Sequence, residues 1–81
     1  MFIVYVLHSK LFDKIYIGFT GNLVQRLISH NELGKKGWTI NFRPWTLIYK
    51  EEFSLKSEAM KREKQLKTAA GRTFIRSLIK N

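Results

Sequence analysis

The sequence predicts an α+β fold, a three-stranded antiparallel sheet flanked by helices in the order β-β-α-β-α-α. Three observations predict it. Two β-branched and aromatic runs, FIVYVL and KIYIGF, lie close enough for a hairpin; a third such run, WTLIYKEEF, follows after a gap; and the segments between and after them space their apolar residues for helices. Eighty-one residues support one domain, 1–81, near the lower size at which an apolar core holds without staples.

Phe2 to Leu7 reads as a buried strand and Lys14 to Phe19 as its hairpin partner. A four-residue loop at Ser9 to Phe12 pairs His8 with Asp13 and Tyr5 with Tyr16, so two tyrosines stand side by side. Gly18 and Gly21 mark a tight exit, and Thr20 or Asn22 caps the next helix. In NLVQRLISHNELG, the stripe Leu23, Val24, Leu27, Ile28 is apolar and Gly34 is the stop. Arg26 and His30 lie one turn apart beside Leu23, at the border of the buried face. KKGWTINFRP is a basic loop carrying Trp38 and Phe42, and it leads into the third strand. In SEAMKREKQLK, Ala59, Met60, Glu63, Leu66 and the later Ala70 share one helical stripe, while Lys61, Arg62, Lys64 and Lys67 project away. Gly71 breaks this helix, and RTFIRSLIKN forms another through Phe74, Ile75, Leu78 and Ile79. There is no internal repeat, linker or low-complexity tract.

Fifteen Lys and Arg against six Asp and Glu leave a formal charge of +9, a field that attracts polyanions. The basic residues are dispersed through every segment, which favours a folded nucleic-acid-binding face over a disordered arm. A membrane-surface role needs a basic helix with spare apolar anchors, and the core requires those present. With no cysteine, disulfides and thiolate metal sites are excluded, so a metal would be held by oxygen or imidazole ligands. MFIVYVL is too short to cross a bilayer and lacks the flanks of a signal peptide, so the expected compartment is the cytoplasm.

Glu63 is the anomaly, because a carboxylate on an apolar stripe costs several kcal/mol, roughly, unless something positive meets it. Four other residues converge on it: Tyr5 and Tyr16 from the hairpin, Arg26 and His30 from the first helix. Each has an ordinary reading. Strand tyrosines usually pack with the hydroxyl at the rim, a histidine suits a helix end, an arginine suits a solvated surface, and Glu63 can pair with a neighbouring Lys or Arg. Together they supply what phosphodiester hydrolysis needs: a base for water, a cation for the growing phosphorane charge, and a carboxylate for a divalent ion.

On these residues the chain resembles the GIY-YIG nuclease superfamily, named for two short strand motifs about ten residues apart. The second motif is intact as Tyr16, Ile17, Gly18; the first appears as Ile3, Val4, Tyr5, keeping its tyrosine and lacking its glycine. Arg26, eight residues after Gly18, matches the family's helix arginine, His30 its helix histidine, and Glu63 its metal-binding glutamate. The match from Phe2 to Lys67 is most similar to small stand-alone bacterial members related to the N-terminal domain of the excinuclease C subunit, a DNA-repair enzyme. The family's late asparagine has Asn81 as its only counterpart.

The resemblance implies a metal-dependent DNA endonuclease in which Tyr5, Tyr16, Arg26 and His30 are catalytic. Glu63 would hold one Mg²⁺ or Mn²⁺, and a single site would nick one strand. Structured or single-stranded DNA, a targeting protein and a second copy of the chain are the implied partners, with no membrane. Lys35, Lys36, Trp38 and Arg43 are the candidate DNA contacts of the basic loop. The alternative is a non-catalytic nucleic-acid-binding domain of the same fold, disfavoured by the retained Tyr5, Tyr16, Arg26 and Glu63. A protein that binds acidic partners explains the charge and leaves the inward glutamate unexplained.

Overall fold

A strand covered on both faces and paired on both edges can be apolar throughout, and the FIVYVL run takes that place. It forms the central strand, β1 (Phe2–Ser9), paired antiparallel with β2 (Lys14–Thr20) and with β3 (Thr46–Phe53) in the order β2-β1-β3. A bulge between Val6 and Leu7 shifts the register of β3. The structure, a computed structural model, describes residues 1–33 and 38–79. Gly34, the expected helix stop, lies outside the described residues.

Side chains alternate between the faces of β1, and each face has its own core. Val4, Val6 and Ile17 pack with Ala59, Leu66 and Ile75, supplied by α2 (Lys56–Leu66) and α3 (Ala69–Ile79). On the other face Tyr5, Leu7 and Trp45 pack with Tyr16, Leu47, and with Leu23 and Leu27 of α1 (Leu23–Ile28). A π-helical turn, Ser29–Leu33, continues α1, and Trp38–Phe42 forms a 3₁₀ helix whose Phe42 joins this second core. The element order is the β-β-α-β-α-α expected from the sequence. Among the described residues, no helix is long and apolar enough to cross a membrane.

Several local expectations are corrected. The hairpin loop is Lys10 to Asp13, with Ser9 opposite Lys14, so Tyr5 faces Gly18 and Tyr16 faces Leu7. Asp13 adopts a left-handed φ of 52°, which closes the turn one residue later than expected. Because each partner moves by two residues, the faces are kept, and the tyrosines are diagonal neighbours with ring centroids 6.1 Å apart. Asn22 caps α1 by accepting the Gln25 N–H at 3.1 Å, while Val24 is exposed, since α1 buries only the Leu23 and Leu27 side. Met60 and Ala70 also leave the buried stripe of α2: Met60 is exposed, and Ala70 belongs to α3. Gly71 does not break α2, because the chain already turns at Lys67 and Thr68; the Thr68 hydroxyl accepts the Gly71 N–H at 3.2 Å.

Candidate active site

Gly18 creates the space in which the site forms. A Cβ at this position would lie 2.8 Å from the Tyr5 hydroxyl and 3.1 Å from the Tyr16 ring, so only glycine lets the two tyrosines close over β2. Beside it opens a cleft of ≈ 440 Å³ lined by Tyr5, Tyr16 and Gly18 from the hairpin, Arg26 from α1, and Lys56 and Glu63 from α2. Polar and cationic groups from separated segments thus converge at an edge strand of the sheet.

Tyr5 is 1% exposed and lines this cleft. Its hydroxyl lies 3.0 Å from His30 Nε2 in a buried contact, and the Tyr16 ring stacks at a tilt on the same imidazole, centroids 4.7 Å apart. His30 is buried as well, and it stands behind Tyr5 instead of lining the cleft. A regular helix through His30 would leave it at the border of the face; the wider π-helical turn after Ile28 rotates it inward. Its Nδ1 is 3.3 Å from the Thr39 hydroxyl.

Burial raises the Tyr5 hydroxyl well above the ordinary tyrosine range, and the neighbouring Tyr16 adds to this against the pull of Arg26. Burial also lowers the His30 imidazole below its ordinary value, assisted by the charges of Arg26 and Arg43. At neutral pH the pair is therefore a phenol and an uncharged imidazole. Passing the Tyr5 proton to Nε2 alone would leave a phenolate beside an imidazolium, so the transfer has to be matched by a proton arriving at the Tyr5 oxygen.

Glu63 supplies the cleft's carboxylate. Its side chain is 18% exposed, and among the described residues its ion-pair partner is Lys67, one turn along the same helix at 3.7 Å. Among the described residues no group of three His, Cys, Asp or Glu could cage a metal. A hard divalent ion takes most of its ligands from water and phosphate oxygens, so one carboxylate opening on a polar cleft fits it.

Tyr5, Tyr16, Arg26 and Glu63 are thus brought to one cleft, with His30 immediately behind it. Trp38 is exposed on the 3₁₀ helix, its ring tilted against those of Phe42 and Trp45 with centroids 4.7 and 5.7 Å away. The half-buried Arg43 donates from Nε to the His30 carbonyl at 2.6 Å and from its guanidinium to the Ser29 carbonyl at 3.2 Å. Lys35, Lys36 and Asn81 lie outside the described residues. Sequence reasoning missed Lys56, although it precedes Glu63 by seven residues and so shares its helix face. Thr39 was missed too, and no spacing signal marks it.

The family model of the GIY-YIG catalytic domain matches residues 1–74. A UPF0213 protein of Staphylococcus haemolyticus is 42% identical over 65 residues, covering 80% of this chain and 78% of that protein. A UPF0213 protein of Staphylococcus saprophyticus is 40% identical over 55 residues, covering 68% of this chain and 67% of its own. No solved structure matches significantly. Since the match takes in all three strands, both tyrosines, α1 and α2, the chain belongs to the GIY-YIG nuclease family.

Proposed function

We propose that the chain is a metal-dependent DNA endonuclease that nicks one strand per site. The observation that carries this reading is the buried 3.0 Å contact between the Tyr5 hydroxyl and His30 Nε2, with Tyr5 lining a cleft it shares with Arg26 and Glu63. Nucleic-acid binding follows from the family, whose nucleases generally use a divalent ion. A non-catalytic binding domain would need the basic surface and would have no use for this contact.

Tyr5 alone is a poor base, since its phenol holds its proton more tightly than usual. Paired with a neutral His30 it becomes a relay: the attacking water gives a proton to the Tyr5 oxygen as the Tyr5 proton passes to Nε2. The water oxygen then bonds to phosphorus, and the bond from phosphorus to the leaving oxygen breaks, with solvent in the open cleft returning a proton to that oxygen. His30 serves as proton acceptor in this scheme and not as a phosphate ligand, because it lies behind Tyr5.

Tyr16 orients the water against the Tyr5 hydroxyl. The planar donor fork of Arg26 and the ammonium of Lys56 face the phosphate from opposite elements and neutralise its growing charge. Glu63 would hold Mg²⁺ or Mn²⁺, which when bound supplies positive charge to the leaving oxygen. DNA is held by dispersed Lys and Arg, and the exposed Trp38 offers a face to a base.

The test is cleavage of a labelled oligonucleotide with Mn²⁺ or with EDTA, using wild type, Arg26→Ala and Glu63→Gln. Cleavage is expected from wild type with Mn²⁺ and to fall roughly 100-fold or more in either variant while the fold is kept. If a pure, folded variant cuts at the wild-type rate, the site assignment is wrong.

A further inference from the structure

We propose that Thr39 is a positioning residue: its hydroxyl oxygen accepts the Nδ1–H of His30 and holds the imidazole in the tautomer whose bare Nε2 faces Tyr5. This rests on the reading of Tyr5 and His30 as a proton relay, and it supplies what that relay needs. A neutral imidazole carries one proton, and only the Nδ1–H form can accept from Tyr5.

Two hydroxyls compete for the ring, Tyr5 at Nε2 (3.0 Å) and Thr39 at Nδ1 (3.3 Å). A phenol is the stronger donor and the weaker acceptor of the two, so the favoured arrangement has Tyr5 donating and Thr39 accepting. The groups facing His30 do not compete with this. Tyr5 and Tyr16 contact the ring, and the charges acting on it are Arg26 and Arg43, with no carboxylate among the described residues. A carboxylate behind Nδ1 would favour imidazolium in the resting state; a hydroxyl selects the tautomer and leaves the ring neutral.

The Thr39 hydroxyl is held in place by the backbone around it. Its carbonyl accepts the Trp45 indole N–H at 2.8 Å, and Trp45 is 4% exposed. The Trp45 N–H donates to the Asn31 side-chain oxygen at 2.6 Å, and the Asn31 amide donates back to the Trp45 carbonyl at 3.1 Å. Asn31 sits beside His30 in the π-helical turn, so the segment that carries the imidazole and the segment that carries Thr39 are clamped through one buried tryptophan.

Histidine side-chain ¹H–¹⁵N correlation spectra of the chain without metal or DNA read the tautomer directly. Wild type and Thr39→Ser are expected to show the Nδ1–H form of His30, and Thr39→Val to populate the Nε2–H form that imidazole prefers in water. In parallel, Mn²⁺-supported cleavage should drop about 10-fold or more in Thr39→Val and recover in Thr39→Ser. Thr39→Ala replaces the valine variant if a thermal melt shows Thr39→Val to be unfolded. An Nδ1–H tautomer that survives loss of the hydroxyl overturns the proposal. A tautomer that shifts while cleavage stays at the wild-type rate overturns the relay and leaves the nuclease reading standing. A wild type inactive in every condition overturns that reading, and the spectra still decide the role of Thr39.

Discussion

One hydrogen atom at Gly18 keeps the centre of the site open. A methyl group there would sit 2.9 Å from the ring carbon that bears the Tyr5 hydroxyl, too close for either to stay in place. We predict that Gly18→Ala costs about 1–3 kcal/mol as an overpacking change and lowers cleavage at least tenfold by moving Tyr5 off His30. Thermal melts and a nicking assay check both parts, and a variant with wild-type stability would refute the crowding argument. His30 carries a second prediction. Its folded pKa is depressed, by burial first and by Arg26 and Arg43 next, so on acidification the unfolded chain takes up this proton before the folded one. The stabilising contribution is therefore complete above the unfolded histidine value of about 6.5 and is lost as pH falls from there toward the folded pKa. Melting temperature of wild type should drop across that window more steeply than that of His30→Gln; parallel curves would show that His30 is not buried neutral.

Elements followed from the sequence where a local signal is enough, and departed from it where a neighbour decides. The three strands were legible because β-branched and aromatic residues crowd into short runs, and α2 because Ala59, Glu63 and Leu66 recur at helical spacing. Hairpin register was not, because Asp13 takes a left-handed φ while its carboxylate accepts from His8 and from Arg76 of α3, a partner 63 residues away. Nor was the inward His30, since a π-helical turn carries no periodic signature of its own. The join between α2 and α3 is a third case. Gly71 reads in the sequence as a helix breaker, yet its use is close approach: a Cβ would collide with the Gln65 carbonyl and stand 2.5 Å from the Leu66 Cα. Gly71→Ala is accordingly predicted to push α3 off the end of α2 and destabilise the chain by about 1–3 kcal/mol, with the chemistry kept because α3 does not line the cleft. Denaturant melts beside a cleavage assay test this, and equal losses of activity and stability at a temperature where the variant is folded would contradict it.

Taken whole, the molecule is a small sheet with a formal charge of +9 and a cleft, among the described residues, where cations and a carboxylate meet. The gathering of Tyr5, Tyr16, Arg26 and Glu63 at this candidate site, with His30 beside Tyr5, was legible because they stand on motifs; the places of Lys56 and Thr39 emerged only once the chain was folded around them. We predict that affinity for DNA falls steeply with salt, since fifteen Lys and Arg against six Asp and Glu favour contacts to phosphates over the reading of base edges. Binding isotherms from low to physiological ionic strength check this, and a flat response would return the charge to solubility alone. The central claim is that this fold, its charge and its buried Tyr5 to His30 contact together hydrolyse DNA. Supercoiled plasmid nicking with Mn²⁺, wild type against Tyr5→Phe, tests it most directly, because the variant loses a single oxygen atom and keeps the ring that fills the core. The predicted result is nicking by wild type, its abolition by EDTA, and a loss of about 100-fold or more in Tyr5→Phe with DNA binding retained. A phenylalanine variant that nicks as fast as wild type would contradict the account.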